Sequence, residues 1–126
     1  MDKNKILIID DEKDFCLLLK MNLERSGEFE VAIATDGKTG IERAKECRPD
    51  LILLDIIMPG MDGAMVAYSL NNDAITKNIP VLFLTAVVKK EEVEDSKGII
   101  GNQHFVSKPV NAEELIAQIR KVLKKK

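Results

Sequence analysis

"LILLDIIMPGMDG", residues 51–63, runs four aliphatic residues into a single acid, Asp55, and then breaks at Met58-Pro59-Gly60. A short continuous apolar run closed by Pro and Gly reads as a strand buried on both faces, as in a parallel sheet covered by helices. A carboxylate at the end of such a strand is costly, because desolvation disfavours its charged form. Some compensating partner must lie at the same end of the sheet.

The rest of the chain supplies the sheet. "KILIID" (5–10), "FEVAIA" (29–34), "DLILLD" (50–55), "IPVLFLT" (79–85) and "QHFVS" (103–107) read as five strands. Helical stripes fall between them. Phe15, Leu18, Leu19 and Leu23 share one face, Ile41 and Ala44 mark a second helix, and Met65, Val66 and Leu70 a third. A charged fourth helix is expected near "KKEEVEDSK" (89–97). A fifth opens on Asn111 and Glu114, a capping-box spacing, and continues through Leu115, Ile116, Ile119, Val122 and Leu123. Strand and helix alternate five times, which predicts a parallel sheet with right-handed crossovers.

Composition bounds the function. A chain of 126 residues with 45% hydrophobic residues suits one domain, residues 1–126. Nineteen basic against 21 acidic residues give −2, which carries no bias toward nucleic acid or a membrane surface. The basic end "RKVLKKK" (120–126) reads as a helix C-terminus complementing its own dipole. Cys16 and Cys47 lack the spacing of a metal site or a disulfide framework. No apolar run approaches the ~20 residues of a membrane span, and no signal peptide is legible, so the cytoplasm is the expected setting.

In an open parallel sheet, chemistry belongs at the carboxyl ends of the strands. Asp10 and Asp11 end the first strand, Asp55 the third and Thr85 the fourth, and the fifth runs into Lys108. Acids there also make an ordinary acidic first helical turn, as Asp11, Glu12 and Asp14 would. The bland reading leaves unexplained why carboxylates, a hydroxyl and an ammonium converge. Converging carboxylates repel unless a cation joins them, and oxygen ligands suit Mg²⁺. The Lys and Thr suit a phosphate, which Asp55 can attack as a nucleophile. "DGKTG" (36–40) is not a P-loop, since Ala32 stands where its first glycine belongs. His104 receives no role.

Taken in order, "IIDDE" (8–12), "LLDIIMPGMDG" (53–63), "FLTA" (83–86) and "FVSKP" (105–109) resemble the receiver domain of two-component response regulators over essentially the whole chain. The resemblance implies a flavodoxin-like α/β fold: a five-stranded doubly wound parallel sheet of order 2-1-3-4-5, with five helices on its two faces. It also implies that Asp55 accepts a phosphoryl group from the phosphohistidine of a sensor histidine kinase or histidine phosphotransfer protein. Asp10, Asp11, Asp55 and the backbone carbonyl of Ile57 would hold Mg²⁺. Thr85 and Lys108 would contact the phosphoryl oxygens, and Thr85 with Phe105 would switch the surface of the fourth helix, fifth strand and fifth helix for a downstream effector protein. The Lys108-Pro109 peptide would be cis. The domain would assist its own transfer without being an enzyme otherwise. Ile57 and Val87, two places after the phosphoacceptor and the threonine, are apolar and cannot orient water, which implies slow self-dephosphorylation; the competing role for Ile57 is packing against the loop near Met61. The alternative class is a Mg²⁺-dependent phosphatase with an aspartate nucleophile, whose haloacid dehalogenase type expects a second acid where Ile57 stands.

Overall fold

A computed structural model describes residues 3–85, 99–100, 103–108 and 110–124. The apolar runs become β1 (Asn4–Ile9), β2 (Phe29–Ala34), β3 (Leu51–Asp55) and β4 (Val81–Thr85), with β5 (Ile99–Ile100) and β6 (Gln103–Ser107) following. The helices among the described residues are α1 (Lys13–Arg25), α2 (Gly37–Cys47), α3 (Gly63–Asn71) and α4 (Ala112–Lys124). The last is the fifth helical segment of the sequence. The fourth, near 89–97, lies outside the described residues, as do Val87 and Pro109.

The sheet order is β2-β1-β3-β4-β6-β5. Its first five members are parallel, so the order 2-1-3-4-5 holds once the two-residue β5 is set aside. β5 is an addition to the expected sheet. It pairs antiparallel with β6 through Ile99↔His104 and Ile100↔Gln103, too short to show a period in sequence.

Alternation along β1, β3 and β4 divides the core in two. Ile6, Ile8, Leu51, Leu53, Leu82 and Leu84 pack under α1 and α4, against Cys16, Leu19, Leu23, Leu115 and Ile119. Leu7, Ile9, Ile52, Leu54 and Phe83 pack under α2 and α3, against Ala44, Val66 and Leu70. Every residue of β3 is buried, which is why it shows no polar alternation. Two expected helix positions differ. Leu18 and Met65 are 57% and 51% exposed, and Cys16 takes the buried place on α1. Counting from Leu19 and Leu23, Cys16 is the member at i−3, whereas Leu18 sits a hundred degrees round the helix.

Local signals start the helices as their chemistry dictates. Asp36 Oδ1 accepts from Thr39 N–H at 2.8 Å, Asp62 Oδ1 from Met65 N–H at 3.0 Å and Asn111 Oδ1 from Glu114 N–H at 3.1 Å. β2 is an edge strand, and α1 shields it. Glu24 Oε2 accepts from Val31 N–H at 3.1 Å, and Lys20 Nζ donates to Val31 C=O at 2.9 Å. The outward backbone groups of Val31 are thereby occupied.

Candidate active site

Register brings the polar strand ends together. Ile9 stands opposite Leu54 in the β1–β3 pair, so the residues that follow, Asp10 and Asp55, emerge side by side. Asp55 is opposite Leu84, and Thr85 is opposite Ser107, which sets Lys108 at the same edge. Lys108 N–H donates to Thr85 C=O at 2.8 Å, tying that turn to the end of β4. One oxygen each of Asp10, Asp11 and Asp55 lies within 4.8 Å of the others. Asp10, Asp55 and Thr85 are buried, and Asp11 is exposed.

Among the described residues, one ammonium pairs with this acid cluster. Lys108 Nζ lies 2.7 Å from Asp10 Oδ2, 3.0 Å from Glu12 Oε1 and 3.7 Å from Asp55 Oδ2. It also sits 4.6 Å from the centroid of the Phe15 ring, a cation–π contact. Burial would lower the Lys108 pKa, but the carboxylates of Asp10 and Glu12 outweigh it and hold the amine above its ordinary value. Asp55 moves the other way for a carboxylate that has a cation nearby. Burial, then repulsion from Asp10, pushes it from 3.8 to about 6, against the attraction of Lys108 and the Ile57 N–H, which donates to Asp55 Oδ1 at 3.3 Å. The cluster is under-neutralised.

The donor set fits a hard divalent cation. All three side chains offer oxygen, and Asp10 Oδ2 is buried with the Lys108 ammonium, 2.7 Å away, as its ion-pair partner.

The loop after Asp55 is shaped by glycine. Gly60 has φ +80°, a conformation that side chains disfavour, and Met61 N–H turns back to Pro59 C=O at 3.0 Å. Gly63 N–H donates to Ile56 C=O at 2.7 Å, and a Cβ on Gly63 would collide with the Asp55 carbonyl and approach Ile56 Cα to 2.7 Å. Helix α3 thus starts against the backbone of the strand end itself.

Asp10, Asp11, Asp55, Thr85 and Lys108 therefore share one edge of the sheet, whereas two other residues stand apart. Phe105 is not in the crevice. It stacks on Phe83 with ring centroids 5.3 Å apart and 25° between planes, half-buried on the α2/α3 side of the sheet. Ile57 is 61% exposed, so it does not pack away against the loop near Met61. Glu12 and Phe15 are the partners of Lys108 that local reading misses. Glu12 reads as part of an acidic first turn and Phe15 as core, because the lysine they meet is over ninety positions away.

A strand-end acid cluster with a lysine, on a doubly wound sheet of this order, defines a phosphorylation-controlled receiver module. The chain belongs to the response regulator receiver domain family, whose model matches residues 6–120. Among its relatives are the alkaline phosphatase synthesis transcriptional regulatory protein PhoP of Bacillus subtilis and the DNA-binding dual master transcriptional regulator RpaA of Synechocystis. Each is 37% identical over 122 residues, covering 96% of this chain and 49% of the relative. The chain spans about half the length of these curated relatives. Its fold resembles Vibrio cholerae chemotaxis protein CheY4, at TM-score 0.81 and 28% identity over 96% of this chain and 99% of that one. It also resembles the receiver domain of Francisella response regulator 1452, at 0.79 and 29% over 98% of both chains. The chain is a two-component receiver domain of signal transduction, and these matches lend no support to the phosphatase alternative. Among the described residues, no helix is long and apolar enough to cross a membrane.

Proposed function

We propose that residues 1–126 act as one receiver domain in the cytoplasm, with Asp55 as its phosphoacceptor. The observation that carries this is the convergence of Asp10, Asp11 and Asp55 within 4.8 Å, with the Lys108 ammonium reaching among them. An Asp55 carboxylate oxygen forms a bond to phosphorus as the bond from phosphorus to a histidine nitrogen breaks. The imidazole leaves with that electron pair and is reprotonated from solvent. The histidine belongs to a sensor kinase or a histidine phosphotransfer protein.

Asp10, Asp11, Asp55 and the Ile57 carbonyl would hold Mg²⁺, which supplies charge neutralisation for the transferring group. Lys108 donates to the phosphoryl oxygens and compensates their charge, and the Thr85 hydroxyl donates to another. Burial at the end of β3 excludes water around the Asp55 carboxylate, and the Ile57 N–H fixes its orientation. The Ile57 side chain is exposed and apolar and cannot itself hydrogen-bond an attacking water, which supports slow self-dephosphorylation. Phe105 lies on the same sheet face as Phe83, two places from Thr85, which supports a switch in which Thr85 and Phe105 move together and alter the surface met by a downstream effector.

The test is incubation with Mg²⁺ and a phosphohistidine-loaded phosphotransfer protein, followed by intact mass measurement. One phosphoryl group should be added to the parent and none to Asp55→Asn. Equal labelling of the two would refute Asp55 as acceptor.

A further inference from the structure

Glu12 stands at the N-cap of α1 without capping it. Its side chain makes no hydrogen bond to the helix, and only its carbonyl serves, accepting from Cys16 N–H at 3.0 Å. The carboxylate instead crosses to the far end of the chain and accepts from Lys108 Nζ at 3.0 Å. That ammonium is closer to Asp10 and Glu12 than to Asp55, at 2.7 and 3.0 Å against 3.7 Å. The face of Phe15 lies beside it at 4.6 Å. Lys108 is thus drawn to the α1 side of the crevice. Its partners differ in how readily they release it, since the Glu12 side chain is 63% exposed and that of Asp10 is fully buried.

We infer that Glu12 and Phe15 hold Lys108 in a resting position, and that the ammonium leaves Glu12 to meet an incoming phosphoryl group, so that Glu12 sets how tightly the site holds such groups. The inference rests on the reading of Asp55 as phosphoacceptor. Glu12 touches no reacting atom and acts through Lys108, which makes it a positioning residue. The Glu12 end of the pair is open to solvent, which screens it, so the contact is weak enough to break on each cycle and strong enough to tax binding. Phe15 guides the ammonium without competing for hydrogen bonds, because a ring face accepts none of comparable strength.

The probe is beryllofluoride, a phosphoryl mimic, titrated with saturating Mg²⁺ and followed by ¹⁹F NMR. Glu12→Gln should bind it roughly two- to five-fold more tightly, the size expected for removing one competing ion pair that is screened at its Glu12 end. Glu12→Asp, which retains a carboxylate, should fall closer to the parent. Asp14→Asn removes an equal charge from the same helical turn at a residue with no ion pair to Lys108 among the described residues, and should leave affinity unchanged. A second readout is the Lys108 ammonium ¹⁵N–¹H signal in ligand-free protein, which Glu12→Gln should shift and Asp14→Asn should not. Unchanged or weaker binding by Glu12→Gln, or equal tightening by Asp14→Asn, would overturn the latch while leaving the site intact. Failure of the parent to bind beryllofluoride would overturn the phosphoacceptor reading and the latch with it.

Discussion

Replacing Asp55 by Asn should make the metal-free protein more stable, and by an amount that depends on pH. The folded state holds the Asp55 carboxyl up to about 6, against 3.8 for the free side chain. Between those values the folded chain binds more protons than the unfolded one, so stability falls as pH rises through that window and is lowest above it. At about 1.4 kcal/mol per tenfold change in proton affinity, the loss reaches about 3 kcal/mol above pH 6. Asn is nearly isosteric, keeps an acceptor for the Ile57 N–H and carries no charge beside Asp10. It gives up the 3.7 Å attraction to Lys108, which the raised pKa already includes. Allowing for local relaxation, the expected gain at pH 8 is about 1–3 kcal/mol. For a chain of this size that is on the order of 4–12 °C in melting temperature, falling toward zero at pH 4. The assay is thermal unfolding of parent and Asp55→Asn in chelator across pH 4–8. Adding Mg²⁺ should narrow or reverse the gap, because the parent alone keeps the full acid set. A pH-independent difference, or Asp55→Asn less stable at pH 8, would refute the claim that the cluster is under-neutralised.

Gly63→Ala should destabilise the fold by roughly 1–3 kcal/mol, since its methyl would overlap the Asp55–Ile56 backbone, and urea unfolding would measure it; the same variant should weaken Mg²⁺ binding by displacing Asp55. Replacing both Lys20 and Glu24 by Ala uncovers the Val31 edge of β2, so Val31 amide exchange should quicken and self-association should rise in sedimentation velocity, while an unchanged exchange rate would show that α1 does not protect the edge. Glu28 pairs with Arg120, Nε to Oε1 at 2.9 Å, and its pKa is lowered by that hydrogen bond. A depressed carboxyl adds stability above its unfolded value of 4.5 that is lost as pH falls through the folded one, so the melting difference between parent and Arg120→Met should shrink on acidification below pH 4.5. A difference that stays constant down to pH 2 would count against the pair.

Much of the site is legible because it sits where local chemistry and topology coincide. Asp10, Asp55 and Thr85 each close an apolar run, and parallel strands in a doubly wound sheet end at one edge, so their shared edge follows from pattern; that they are neighbours there follows from the strand order, which the family resemblance implied. The helix faces are less secure: Leu18 and Met65 are exposed because neighbouring apolar residues on a helix compete for one buried stripe, and the packing partner chooses between them. Phe105 is legible as an aromatic on a strand, but which ring it stacks on depends on the Phe83↔Phe105 register. The two-residue β5 has too few residues to display any period.

By itself, then, the amino-acid order determined the alternation of strand and helix, the burial of β3 on both faces, the cap residue Asn111, and the set of acids at the strand ends. These depend on interactions within a few residues or on the period of a single element. Tertiary structure alone decided which partner each charge takes. Lys108 lies between Asp10 and Glu12 over Phe15, Glu12 reaches across 96 positions instead of capping its helix, and Lys20 and Glu24 close the edge of β2. The physical reason is range: hydrophobic periodicity is written into neighbours along the chain, whereas electrostatic partnership depends on distance and burial, which exist only once the sheet has brought remote residues to one edge.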